Sequence, residues 1–146
     1  MDQRVIASAA FGIHLIIGGL FALAYSIVEP TFTEGQGEFL LGVGYLAPVV
    51  SLGLLWGKNY RFGAPFLAVS GIATCWFVSY LFLIHDNPAS VMAVTGEGAT
   101  AYGAAVIALM ISSFGIALIG LWIWYHNNDV FKSLVDRVIS PRGRET

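Results

Sequence analysis

Chemistry inside an apolar chain needs an ionisable or metal-ligating side chain at a useful depth. The residue that meets this description is His14, set within an unbroken apolar run. The chain has three histidines and one cysteine. His14, His85, His126 and Cys75 are scattered along it, and none shows the close spacing of a zinc site. A bis-histidine haem needs two imidazoles at one depth on facing helices. His85 falls at the outer end of the third apolar run and His126 at the inner end of the fourth. Each is more than about 10 Å from His14 along the helix direction, so a haem would need a ligand from another chain. Proton or cation transport would be expected to use Asp or Glu inside the apolar runs, and every acidic residue lies in a loop or terminus. No Ser-His-Asp order, Gly-rich phosphate loop or metalloprotease helix motif occurs. Catalysis by this chain alone is not expected.

His14 lies roughly 13 Å from the start of its run, near the middle of a bilayer core. Pro48, Ser51, Thr74, Cys75, Ser112 and Ser113 fall at similar depth in the other runs. Together they predict a small polar layer, with His14, Ser51, Thr74 and Ser113 as the candidate cofactor-binding set. An ionisable residue at this depth is a functional candidate by default. The competing reading is a neutral imidazole bonded to a facing Ser, Thr or a backbone carbonyl freed near Pro48. These residues name no particular cofactor and no metal. At the outer surface, Glu29, Asp86 and His85 could gather with Tyr25 and Tyr102, but solvated loop charges are the simpler expectation.

The elements that must hold this layer follow from composition. Of 146 residues, 57% are hydrophobic and 11% charged, with a mean hydropathy of +0.75. A soluble domain carries about 25% charged residues. So few charges point to an all-α integral membrane protein. Four spans are predicted at 5–28, 39–56, 64–84 and 101–125, making residues 1–126 a four-helix transmembrane domain. The first run exceeds the 7–15 residues of a signal-peptide core and ends in Glu29-Pro30, so an uncleaved helix is expected. Pro48 should kink the second span. Pro65 reads as a helix start. In the loop 85–100, Asp86-Asn87-Pro88 reads as the cap of a short helix ending before Gly96-Glu97-Gly98. The single cysteine is a packing residue. The charge pattern shows no basic face for nucleic acid.

The basic turn at 57–63 sets orientation. All seven Lys and Arg fall at the N-terminus, in this turn (Lys58, Arg61) or in the C-terminal tail. The other two loops carry only Glu29, Glu34, Glu38, Asp86 and Glu97. The positive-inside rule then puts both termini in the cytoplasm of a multi-pass plasma-membrane protein. Trp56, Trp122, Trp124 and Tyr125 fall at the inner interface. In the tail, 127–146, Val130, Phe131, Leu134, Val135, Val138 and Ile139 recur at helical spacing opposite Asp129, Lys132, Ser133, Asp136 and Arg137. With Asn128 or Asp129 as cap and Ser140-Pro141 as stop, this predicts an amphipathic interfacial helix, lying on the inner surface or against a partner.

Helices in lipid associate through close backbone approach and interhelical hydrogen bonds. Candidate small-residue faces are Ser8 with Gly12; Gly18, Ala22 and Ser26; Gly53 with Gly57; and Ala108, Ser112, Gly115 and Gly120. No internal repeat of the inverted-transporter kind is evident. The Gly-rich first helix and the segment Pro48-Val49-Val50-Ser51-Leu52-Gly53-Leu54-Leu55-Trp56-Gly57-Lys58-Asn59-Tyr60-Arg61 resemble DoxX-type bacterial and archaeal membrane proteins. That resemblance implies a small membrane subunit associated with thiol and quinone redox chemistry, and carries no site residues. The leading expectation is a non-catalytic accessory or anchoring subunit, with the lipid bilayer and other membrane subunits, or a second copy of itself, as partners. The alternatives are a redox component lending His14 to a quinone or haem pocket, and a small oligomeric transporter or channel.

Overall fold

Four apolar stretches become four long helical segments because a backbone away from water must satisfy its own hydrogen bonds. The computed structural model describes residues 2–139. Helix α1 is Gln3–Val28. The second segment is α2, Glu34–Leu41, a π-turn at Gly42–Leu46, and α3, Ala47–Trp56. The third is α4, Tyr60–Ser79, with a π-turn at Tyr80–Ile84. The fourth is α5, Ala99–Asn127, and α6, Asp129–Ile139, follows it. The four segments are each long and apolar enough to cross a membrane. They pack in a closed cycle: α1 on α5, α5 on α4, α4 on α3 and α3 on α1.

Helix ends differ from expectation where side chains supply bonds that periodicity does not reveal. The second segment begins at Glu34 rather than 39 because Thr33 and Gln36 form a capping box. The acidic residues Glu34 and Glu38 therefore sit in the helix, not in a loop. α4 starts at Tyr60, which puts Pro65 inside the helix instead of at its head. The cost is small, since Pro65 deprives only the Arg61 carbonyl, close to the helix end. Pro48 is absorbed by the wider turn that precedes it. The expected short helix near 86–94 is instead a run of turns. Asn87, not Asp86, organises it by accepting from the Ala89 N–H at 2.9 Å and donating to the Leu81 carbonyl at 2.6 Å. Gly96 and Gly98 both have φ near +90°, a conformation that suits glycine and turns the chain into α5.

At the start of α1, Asp2 accepts from the Arg4 N–H at 2.9 Å and pairs with its guanidinium at 2.6 Å. Those hydrogen bonds hold the Asp2 carboxyl at about 2, down from 3.8. A depressed carboxyl contributes above its ordinary range, so this cap is present from neutral pH downward and is lost only as pH falls through about 2.

The interior is layered. One apolar cluster, towards the C-terminal end of α1, holds Phe21, Leu40, Val78, Phe82, Tyr102 and Leu109. A second, towards its N-terminal end, holds Phe11, Leu55, Leu67, Ile116 and Ile123. Between them lie buried polar residues from all four segments. The closest backbone approach joins α4 to α5. A Cβ on Gly71 would lie 2.9 Å from the Ala117 Cα, and one on Gly120 would lie 2.7 Å from the Ala68 Cα. Of the small-residue faces read from sequence, Gly120 makes such a crossing. Gly18 lies under the Tyr45 ring, whereas Gly12, Gly53 and Gly115 face open space.

Helix α6 is strongly two-sided, and none of its residues is buried. Asn128 caps it, accepting from the Phe131 N–H at 2.8 Å. Phe131 stacks on Trp124, centroids 4.0 Å apart, and the Tyr125 hydroxyl donates to Asp136 at 2.7 Å. Val130, Leu134, Val138 and Ile139 remain exposed. The expected stop at Ser140-Pro141 lies outside the described residues.

Candidate functional site

The mid-bundle layer is built around one missing donor. Pro48 has no N–H, so the carbonyl four residues before it, that of Gly44, loses its ordinary helical partner. His14, on α1, faces that carbonyl with Nε2 at 3.2 Å. A carbonyl only accepts, so Nε2 carries the proton and donates. In the neutral ring Nδ1 then accepts, and the Ser112 hydroxyl on α5 stands 2.8 Å away to donate. The competing acceptor for Ser112 is the Leu109 carbonyl at 3.0 Å, which the Ser113 hydroxyl already reaches at 2.7 Å. One imidazole thereby ties α1 to the second and fourth segments. Its face packs on Tyr45, with ring centroids 5.0 Å apart.

His14, Ser51, Thr74 and Ser113, the sequence-derived set, are all buried. They share a level but not a hydrogen-bond network. Ser51 donates to the Ala47 carbonyl, Thr74 to Ser70 and Ser113 to Leu109, each within its own helix. Thr74 also lies beside Gly44, where an added Cβ would touch its methyl at 3.3 Å. The residues that do bond His14 are Gly44 and Ser112. Gly44 was findable by counting four back from Pro48; choosing Ser112 over Ser113 needed the helix rotation, which sequence does not give. Among the described residues no buried side-chain nitrogen or oxygen lacks a partner.

The arrangement is a closed polar staple. Both ring nitrogens of His14 are engaged by its own chain, so the layer presents no free base or open ligand position there. No group of three metal-ligating side chains occurs among the described residues.

Of the residues expected to gather at the outer surface, Tyr25 and Tyr102 both pack on the Phe21 ring, with centroids 6.2 and 5.9 Å from it. Tyr102 is buried and donates to the Ala89 carbonyl at 2.7 Å. His85 stacks on Tyr80, with ring centroids 5.3 Å apart, and Tyr25 stacks on Phe32 at 5.0 Å. Near the other end, the Trp56 indole donates to Ser8 at 3.1 Å and lies under the Arg4 guanidinium. That pairing joins α1 to α3 at the level of the basic turn. No protein-family model, curated protein or solved structure matches the chain.

Proposed function

We propose that the chain is a non-catalytic accessory or anchoring subunit of a larger assembly in the plasma membrane, with four spans and both termini in the cytoplasm. One observation carries this reading. The mid-bundle histidine is committed to intrachain bonds, while the surfaces that remain available are outward-facing and apolar. Among these, Gly53 on α3 and Gly115 on α5 leave open space at the bundle exterior, where another helix can approach closely. Helix α6 supports the anchoring part. Its exposed Val130, Leu134, Val138 and Ile139 suit the headgroup boundary, with Lys132 and Arg137 on the solvent side. The charge asymmetry of the loops supports the orientation.

The test is purification of the tagged chain from its own membrane in mild detergent, with mass spectrometry of what accompanies it. Other membrane proteins are expected in fixed stoichiometry, and Gly53→Leu or Gly115→Leu should reduce their yield without unfolding the bundle. Recovery of a bare, monomeric chain would end the proposal. Orientation has its own measurement. Single cysteines at the exposed positions Asn59 and Thr95, in a Cys75→Ser background, should label from opposite sides of sealed vesicles. Labelling of both from one side would reverse the topology.

A further inference from the structure

The outward side of α3 and α4, next to the basic turn, carries a trough of about 390 Å³ lined by Leu54, Phe62, Pro65, Phe66 and Val69. That size lies within the range of small-molecule pockets, about 300–1,000 Å³. Every lining residue is apolar, and Phe62, Phe66 and Val69 are exposed, so the trough opens away from the bundle. From Phe62 to Val69, α4 rises about 10 Å, roughly a third of a bilayer core of about 30 Å. In an inserted bundle any such surface meets acyl chains. What distinguishes this one is its end.

The chain folds back at that end. The Asn59 N–H donates to the carbonyl of Leu54, a wall residue, at 2.8 Å, which sets the turn over the end of the trough. Arg61 holds its guanidinium above the ring of Phe62, a second wall residue, 5.6 Å from the centroid. Lys58 and Arg61 are both exposed, and the only salt bridge among the described residues is Arg4–Asp2. Residues 39–85 contain no Asp or Glu, so neither wall supplies a counter-charge. Lys58 also has a φ of +59°, in the left-handed region that favours glycine. Its side chain is kept there at a cost to the backbone. An apolar trough ending in two unpaired cations fits one class of membrane molecule, an acyl tail joined to an anionic head.

We infer that the α3–α4 trough binds an anionic phospholipid, with an acyl chain against Phe62 and Phe66 and the phosphate on Arg61 and Lys58. This rests on the bundle being inserted in a membrane. It does not rest on partner subunits, since the trough lies within one chain.

The test uses the full chain in dioleoyl-phosphatidylcholine nanodiscs. The probe is spin-labelled phosphatidylglycerol, and the control is phosphatidylcholine carrying the same label. A motionally restricted signal that saturates at one phosphatidylglycerol per chain is expected, with phosphatidylcholine at least about tenfold weaker. Arg61→Gln and Lys58→Gly should each weaken binding about fivefold, the worth of one basic residue at an anionic surface. Lys58→Gly should do so without lowering the unfolding midpoint in SDS, because glycine suits that backbone. Arg137→Gln removes an exposed cation from α6, which does not line the trough, and should leave binding unchanged. Free glycerol phosphate, a head group without tails, should not displace the probe. Equal binding of the two lipids, equal loss in Arg137→Gln, displacement by glycerol phosphate, or no loss in Arg61→Gln would each overturn the assignment and leave the membrane reading standing. A chain that failed to enter nanodiscs would overturn both.

Discussion

Gly71→Leu should abolish the folded bundle in mild detergent, and Gly71→Ala should already lower its unfolding midpoint in SDS. The first added atom, Cβ, meets the Ala117 Cα and the Ser113 carbonyl, both at 2.9 Å. These are backbone atoms of α5, which cannot swing aside as a side-chain tip can. Overpacking of this kind costs about 1–3 kcal/mol for small additions, so the alanine variant should fall in that range and leucine beyond it. Gly120→Ala should behave alike, because its Cβ would run into the backbone of Ala68 on α4. Gly53→Leu and Gly115→Leu are the matched controls. Both add a side chain to open space and should leave the midpoint of the isolated chain within about 0.5 kcal/mol of the parent. Equal losses at all four positions would mean that helix composition, not the α4–α5 crossing, sets stability.

The second large effect belongs to His14. His14→Ala removes a side chain that is 1% exposed and leaves the Gly44 carbonyl and the Ser112 hydroxyl without their shared partner. The cavity left by a buried ring and the lost interhelical bonds should together cost about 2–4 kcal/mol. Ser112→Ala should cost less, about 1 kcal/mol, because Gly44 keeps its donor. A His14→Ala chain as stable as the parent would remove the staple.

Much of this bundle is legible in the sequence, and the reasons are physical. Long apolar runs force helices, so the four segments follow from composition. The starts of the second and third did not follow, because Glu34 and Tyr60 lie in polar stretches whose helicity rests on the Thr33–Gln36 box and on the turn at Asn59. The depth of the polar layer followed from rise per residue. Its wiring did not, since depth fixes a level and not a rotation. Ser113 turns back to Leu109 while its neighbour Ser112 faces His14. The small-residue stripes show the same limit. Gly18 and Gly120 pack tightly, Gly12 and Gly53 pack against nothing, and the tightest glycine of α4, Gly71, carries no stripe to mark it. Folding of α6 back onto Trp124 and Tyr125 also needed three dimensions, because the contacts span the break at Asn128.

An accessory role requires the mid-bundle histidine to be structural, there to serve the carbonyl that Pro48 leaves bare. A double-mutant cycle between His14→Ala and Pro48→Ala measures this directly. Pro48→Ala returns an N–H to the second segment, which lets the helix satisfy Gly44 from within. The two changes should then couple: His14→Ala should cost about 1 kcal/mol less in the Pro48→Ala background than in the parent. Strict additivity would show that His14 does not serve that carbonyl, and would return it to the list of residues free for chemistry.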